Sequence, residues 1–160
     1  MRFGLLWVGR TRDRHIRAAQ EGFLERISRY VPVEVIEVKE ESGAHRHSEA
    51  DARRREARRL KERIPPGHQV VVLDAGGREM SSEQFAEFLR ARLDSSSSST
   101  RGLTFIIGGH LGLDEEIKKI ADHTISLSRM TFTHEMARLV ALEQIYRGMS
   151  ILKGTRYHRP

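Results

Sequence analysis

Leu103 Thr104 Phe105 Ile106 Ile107 Gly108 Gly109 His110 Leu111 Gly112 Leu113 is an apolar run that ends in two glycines and continues into a turn-forming segment. A short continuous apolar run closed by glycine has the pattern of a strand buried on both faces, as in a parallel sheet. Glycine at 108 and 109 lets a backbone approach a ligand closely because no side chain intervenes; the same pair also suits a simple turn. Both readings put a loop directly behind a buried strand.

Working outward, the same grammar recurs. Upstream, Val70 to Leu73 is a strand closed by Asp74 Ala75 Gly76 Gly77, and downstream Thr124 to Leu127 is a strand that runs into Ser128 Arg129 Met130 Thr131 Phe132. Arg2 to Val8 and Val33 to Val38 are two further strands. Between them lie helical patterns: Ile16, Ala19, Phe23, Ile27 and Tyr30 recur at spacings of three and four, as do Phe85, Phe88 and Leu89 behind a serine cap at Ser81 or Ser82. A short helix capped by Asp114 runs through Ala121. Strands alternating with helices predict an α/β fold with a mainly parallel sheet and helices on both faces, with the ligand crevice at the carboxyl ends of the strands. The loops 73–77, 108–113 and 127–133 then converge on one edge and can line one pocket.

The last helix, His134 to about Leu152, carries Met136, Leu139, Val140, Leu142, Ile145, Tyr146 and Met149 over more than one stripe, with Glu135, Arg138, Glu143, Gln144 and Arg147 scattered between them. Such a helix is buried by more than one neighbour. One is the sheet; the other is a second subunit in a two-fold dimer, or the rest of a monomer. Buried charges such as Arg138 persist only when paired, so internal salt bridges compete with substrate binding as their role. Gly154 separates this helix from Tyr157 His158 Arg159, a tail with an aromatic face, an imidazole and a bidentate phosphate binder that could fold back over the pocket.

Composition narrows the class. With 160 residues, 31% of them charged, the chain is expected to form one domain, residues 1–160. There is no cysteine, hence no disulfide framework or thiolate metal site. The apolar start is too short for a signal peptide and no run has the length of a membrane span, so a cytoplasmic protein is expected. The net charge of +6 and pI near 10.1 favour a polyanionic partner, nucleic acid first. The run Arg53, Arg54, Arg55, Arg58, Arg59 is most simply a solvated face braced by Glu49 and Asp51 four residues ahead of Arg53 and Arg55; an RNA-facing stripe is the alternative. Neither Gly-x-Gly-x-x-Gly nor a P-loop occurs. His45 and His47 lack ordered metal-ligand spacing, and no metal is expected.

Taken in order, Leu73 Asp74 with Gly76, Ile106 Ile107 Gly108 Gly109 His110 Leu111 Gly112 Leu113, Leu127 to Phe132 with His134, Arg138, Glu143 Gln144, Tyr146 Arg147 and Tyr157 His158 Arg159 resemble the bacterial SPOUT-class methyltransferases of large-subunit 23S rRNA that modify N3 of a pseudouridine. The likeness runs end to end. It implies a C-terminal trefoil knot, a homodimer, and S-adenosylmethionine held by Leu73, Gly108, Gly109, Leu127, Ser128, Arg129, Met130, Thr131 and Phe132. It implies catalytic roles for Tyr157, His158 and Arg159, with His158 first as proton relay. Arg138, Arg147 and Arg10 are weaker candidates for RNA or dimer contact. Threonine stands at 133, where the family usually has proline, and can still cap the helix; Pro160 stands where an acidic residue or nothing is usual. A transfer-RNA methyltransferase of this fold and a ribosome-binding module without activity are the alternatives.

Overall fold

The computed structural model describes residues 1–41, 48–94 and 100–158; His45, His47, the serines 95–99, Arg159 and Pro160 lie outside them. The chain runs β1 (Arg2–Val8), α1 (Arg14–Ser28), β2 (Val33–Val38), α2 (Glu49–Glu62), β3 (His68–Glu79), α3 (Ser82–Asp94), β4 (Gly102–Ile107), α4 (Glu115–Lys119), β5 (His123–Ser126) and α5 (His134–Leu152). Five strands form one sheet in the order β2-β1-β4-β3-β5, and every pairing is parallel. All strand carboxyl ends therefore meet along one edge.

The alternation of side chains along each strand builds two cores. Phe3, Leu5 and Trp7 of β1 join Leu103, Phe105 and Ile107 of β4 under α1, α3 and α5, whose Ile27, Phe85, Leu89, Leu142 and Ile145 are buried against them. On the opposite face Leu6, Val8, Val70, Val72 and Ile106 pack under Ala57 and Leu60 of α2 and Ile117 of α4. Each fully buried side chain of this size stabilises the fold by about 1.5–3 kcal/mol, so the doubly covered β1 and β4 anchor the sheet.

The helices begin where their caps are. Asp13 accepts from the amides of His15 and Ile16, Ser48 from Asp51, Asp114 from Glu116 and Thr133 from Met136. Ser81 caps α3 through Gln84, whose side chain returns the bond to the Ser81 amide.

The structure departs from the sequence expectation at several places, among them the short helix α4, which ends at Lys119 and not at Ala121. β3 does not stop at Leu73: after 74–77 bulge away, Arg78 and Glu79 pair again with Ile125 and Ser126 of β5. β5 begins one residue earlier, at His123. In α2 the buried residues include Glu56 beside Ala57 and Leu60, and the arginines pair otherwise than by simple i,i+4 spacing: Arg54 reaches Asp51 at 3.5 Å, Arg55 lies 3.9 Å from Glu41, and Arg59 also pairs with Glu41.

Gly102 marks the tightest point of the opposite edge, where a Cβ would collide with the Arg2 carbonyl and the His68 ring. Gly102→Ala is expected to cost about 1–3 kcal/mol, read as a lower urea midpoint at unchanged m-value.

Candidate active site

The three loops do converge. A cavity of about 420 Å³ opens at the carboxyl edge, walled by Leu73, Asp74 and Ala75 behind β3, by Ile107 to His110 with Gly112 and Leu113 behind β4, and by Leu127, Ser128 and Met130 to His134 behind β5. Ala137 of α5 closes it. Volumes of roughly 300–1,000 Å³ are usual for small-molecule and cofactor sites.

Glycines set the wall geometry where backbones crowd. A Cβ at Gly77 would stand 2.6 Å from the Ile125 carbonyl carbon, so only glycine lets the bulge rejoin β5. A Cβ at Gly108 would stand 2.9 Å from the same atom of Gly112. The Gly109–Gly112 turn is closed by a backbone bond of 3.1 Å, and Gly112 sits at φ +76°, in the left-handed region. Behind β5 the Ser126 hydroxyl donates to the Ser128 carbonyl at 3.0 Å, and the Ser128 hydroxyl accepts from the Met130 amide at 2.9 Å, which fixes the loop without a long side chain.

Three titratable side chains stand in the wall. Asp74 accepts from the Gly76 amide at 2.9 Å and pairs with Lys118 at 3.1 Å; burial opposes its ionisation, but these two donors outweigh it and hold the carboxyl below its ordinary range. His110 is bonded through Nδ1 to Glu40 at 2.8 Å, and Glu40 also pairs with Arg12 at 3.2 Å. His134 opens α5, and its ring makes no hydrogen bond among the described residues. Burial, with the Arg138 and His110 charges nearby, pushes its pKa below the ordinary value, against the opposing pull of Glu135 and Glu40.

The remaining expected site residues fall elsewhere. Arg129 projects outward and pairs with Glu79 at 2.8 Å, while its neighbours on both sides line the cavity. Arg10 is exposed beside Glu37 at 3.7 Å. Arg138 corrects the expectation of an RNA or dimer contact: it is fully buried within this chain, donating to the Val8 carbonyl and, at 3.1 Å, to the Thr11 hydroxyl, with its guanidinium 5.3 Å from the Trp7 ring centre. Its two terminal nitrogens are bonded within the fold and its Nε is buried without a partner among the described residues, so no face of it reaches RNA.

Tyr157 and His158 do not fold over the cavity of their own chain. Tyr157 donates to Glu143 at 3.0 Å and packs edge-on against Tyr146, and His158 lies 2.8 Å from Glu83 of α3 and 3.5 Å from Arg147. Arg147 also pairs with Glu143 and lies over the Tyr157 ring at 4.9 Å. Asp74 and His134 line the wall although the sequence reading, which quotes both in the resemblance, gives neither a role in the site. The signal was present, since Asp74 sits on a loop already expected to converge and His134 directly follows another.

No helix among the described residues is long and apolar enough to cross a membrane, and no cluster of three metal-ligating side chains occurs among them. An all-parallel α/β sheet with a glycine-lined cavity at its carboxyl edge defines a small-molecule-binding α/β protein, here one whose β5 loop and last helix complete the pocket. The family model described as "Predicted SPOUT methyltransferase" matches residues 1–158, and the chain belongs to that family. Curated relatives named "Ribosomal RNA large subunit methyltransferase H" are 46% identical in Syntrophotalea carbinolica and 44% in Geobacter sp. (strain M21), each over 158 residues and 99% of both chains. A relative of that name in Acetivibrio thermocellus is 40% identical over 162 residues, 99% of this chain and 100% of its own. Among solved structures, a probable methylase family protein from Haemophilus influenzae shares the fold at TM-score 0.58 and 8% identity, over 99% of this chain and 70% of its own. A probable methyltransferase from Bordetella pertussis does so at 0.56 and 12%, over 92% and 96%.

Arg138→Ala is expected to destabilise the protein by about 2–5 kcal/mol, because it leaves the Val8 carbonyl without its donor and a void beside Trp7. Thermal unfolding at matched pH measures the loss, and a fully folded variant of unchanged stability with weakened RNA binding would restore the surface role.

Proposed function

We propose that this chain, acting as one domain and as a homodimer in the cytoplasm, uses S-adenosylmethionine to methylate N3 of a pseudouridine in 23S rRNA of the large ribosomal subunit. The observation that carries the reading is the cavity itself, built by the three loops behind β3, β4 and β5. It lies in a chain about as long as relatives bearing a ribosomal RNA methyltransferase name, which it matches over 99% of its own length. The trefoil knot belongs to the same reading: the loop 127–133 meets the turn 108–113 across the cavity and leads straight into α5.

The residues present fit the cofactor. Leu73, Gly108, Gly109 and the 127–132 loop offer backbone groups around a cavity of suitable volume, and glycine at 108 lets the chain pack against the Gly112 turn that walls it. Within that loop Arg129 is the outward-facing member, so it would contribute main chain only. When bound, the group supplies a methyl on a sulfonium, already electrophilic, and the protein's task is to align the acceptor nitrogen and receive its proton.

Homodimer formation is supported by exposed apolar side chains: Met130, 77% exposed, and Phe132, 37%, line the cavity, and Met136, 38%, stands on the first turn of α5. It also accounts for the tail. Ala137 lines the cavity and Arg147 holds the tail, ten positions apart on one helix and thus separated by roughly 15 Å. Two copies paired through antiparallel α5 helices would bring the tail of one beside the cavity of the other. There Tyr157 would stack on the base and Arg159 would bind phosphate, while His158, the proton relay that the resemblance implies, would arrive with its ring held by Glu83 and Arg147. Arg10 and Arg147 would meet RNA phosphates.

Calorimetry should show one S-adenosylmethionine bound per chain, and radiolabelled methyl should pass to large subunits or ribosomes and map to a pseudouridine. Transfer to tRNA alone would replace the substrate, and absence of cofactor binding would end the enzymatic reading. Met136→Asp is expected to shift sedimentation from dimer to monomer and to abolish transfer to ribosomes.

A further inference from the structure

Methylating a ring nitrogen that bears hydrogen requires a group to take the proton, and the cavity wall offers three titratable side chains for it: Asp74, His110 and His134. Asp74 is already occupied by the Gly76 amide and Lys118 and held as a weakly basic carboxylate. His110 commits Nδ1 to Glu40. In the tail, both ring nitrogens of His158 are engaged, Nε2 by Glu83 and Nδ1 by Arg147, on the far stretch of α5. His134 alone stands in the wall with a ring that makes no hydrogen bond among the described residues.

We propose that His134 is the catalytic residue that accepts the proton from the methylated nitrogen, an inference that rests on the methyltransferase reading above. The nitrogen's electron pair forms the bond to the methyl carbon, the carbon–sulfur bond breaks with its electrons going to sulfur, and the N–H proton passes to a ring nitrogen of His134. The positive charge carried in by the sulfonium leaves as imidazolium, which then releases its proton to water.

The surroundings suit an acceptor. His134 is the first residue of a 19-residue helix, whose amino end disfavours a cation. The charged groups around it are Glu135 and Arg138 on the same helix, Glu40 behind β2 and His110 behind β4; burial and the two basic neighbours outweigh the two carboxylates and lower the ring's pKa, which favours its neutral form. A ring that is already neutral can accept at once. Its place on a helix anchored by Arg138 fixes it relative to the cofactor loops, whereas the tail must come from elsewhere.

The test uses full-length wild type with His134→Asn and His134→Ala on large subunits or ribosomes. For both variants kcat should fall about 100- to 10,000-fold, with cofactor affinity by calorimetry within about twofold on that reading of general-base loss. The wild-type kcat should decline as pH falls below neutrality, and this acid limb should vanish in the variants. Imidazole should partly rescue His134→Ala, which a merely structural role would not allow. Independently of activity, NMR titration of the His134 ring in wild type should give a pKa below the ordinary histidine value that falls further when S-adenosylmethionine is added. Full activity of His134→Asn with the acid limb retained, transfer of that limb to His158→Asn, or a ring titration indifferent to the cofactor would each overturn the assignment. An inactive wild type that binds no cofactor would instead sink the methyltransferase reading, and this proposal with it.

Discussion

A guanidinium without access to water joins the sheet to its last helix. Arg138 reaches from the second turn of α5 to the carbonyl of Val8, the last residue of a central strand, and to Thr11 in the loop beyond. Thr11 in turn donates to Gln20 at 2.9 Å, Gln20 donates to the Glu135 carbonyl at 3.2 Å, and the Glu135 carboxylate accepts from the amides of Arg12 and Asp13 at 2.7 and 3.2 Å. One polar network therefore locks β1, α1 and α5 together at the carboxyl edge. A buried charge is expensive unless its hydrogen bonds are made, and breaking such a set by removing one partner costs several kcal/mol. What that cost secures is position: the first turn of α5 is also a wall of the cavity.

The other walls follow from the all-parallel sheet. Because every strand points the same way, the chain leaves β3, β4 and β5 at one edge, and each exit is resolved by glycine or a short hydroxyl side chain. The loops are thus defined mainly by backbone, which suits recognition of a small molecule through amides and carbonyls. Long side chains at these exits turn away, as Arg129 does, or are tied down, as His110 is to Glu40.

This explains which parts were legible in the sequence. Strands such as Leu103 to Ile107 announce themselves by continuous apolar runs, helices by caps at Ser81, Asp114 and Thr133, and the meeting of three loops follows from parallel topology alone. What escaped depends on distant partners. The return of Arg78 and Glu79 to β5 after a bulge has no periodic signature. Glu56 is a carboxylate amid arginines, yet it is buried, accepts from the Glu41 amide at 2.9 Å and has its pKa raised by burial. Arg138 and Arg147 look alike in the helical pattern, but one is walled in by Trp7, Val8 and Thr11 and the other reaches the tail. The tail itself turns at Gly154, φ +64°, and its direction from there is set by Glu83 and Glu143, 71 and 11 positions before the turn.

The same contrast governs how a net charge of +6 meets RNA. Several exposed arginines already have a carboxylate: Arg12 with Glu40, Arg54 with Asp51, Arg90 with Glu87, Arg129 with Glu79. Solvent-exposed pairs of this kind are worth only about 0–1 kcal/mol, so a phosphate that releases counterions can displace the carboxylate at little cost. Pairing therefore does not remove these side chains from an RNA-binding surface; it orients them until a stronger anion arrives. Arg138 cannot make that exchange, because its partners are a backbone carbonyl and a buried hydroxyl that no phosphate can reach. Basic side chains at the surface are thus available to the substrate, while Arg138, the one buried basic side chain among the described residues, holds the helix on which His134 stands.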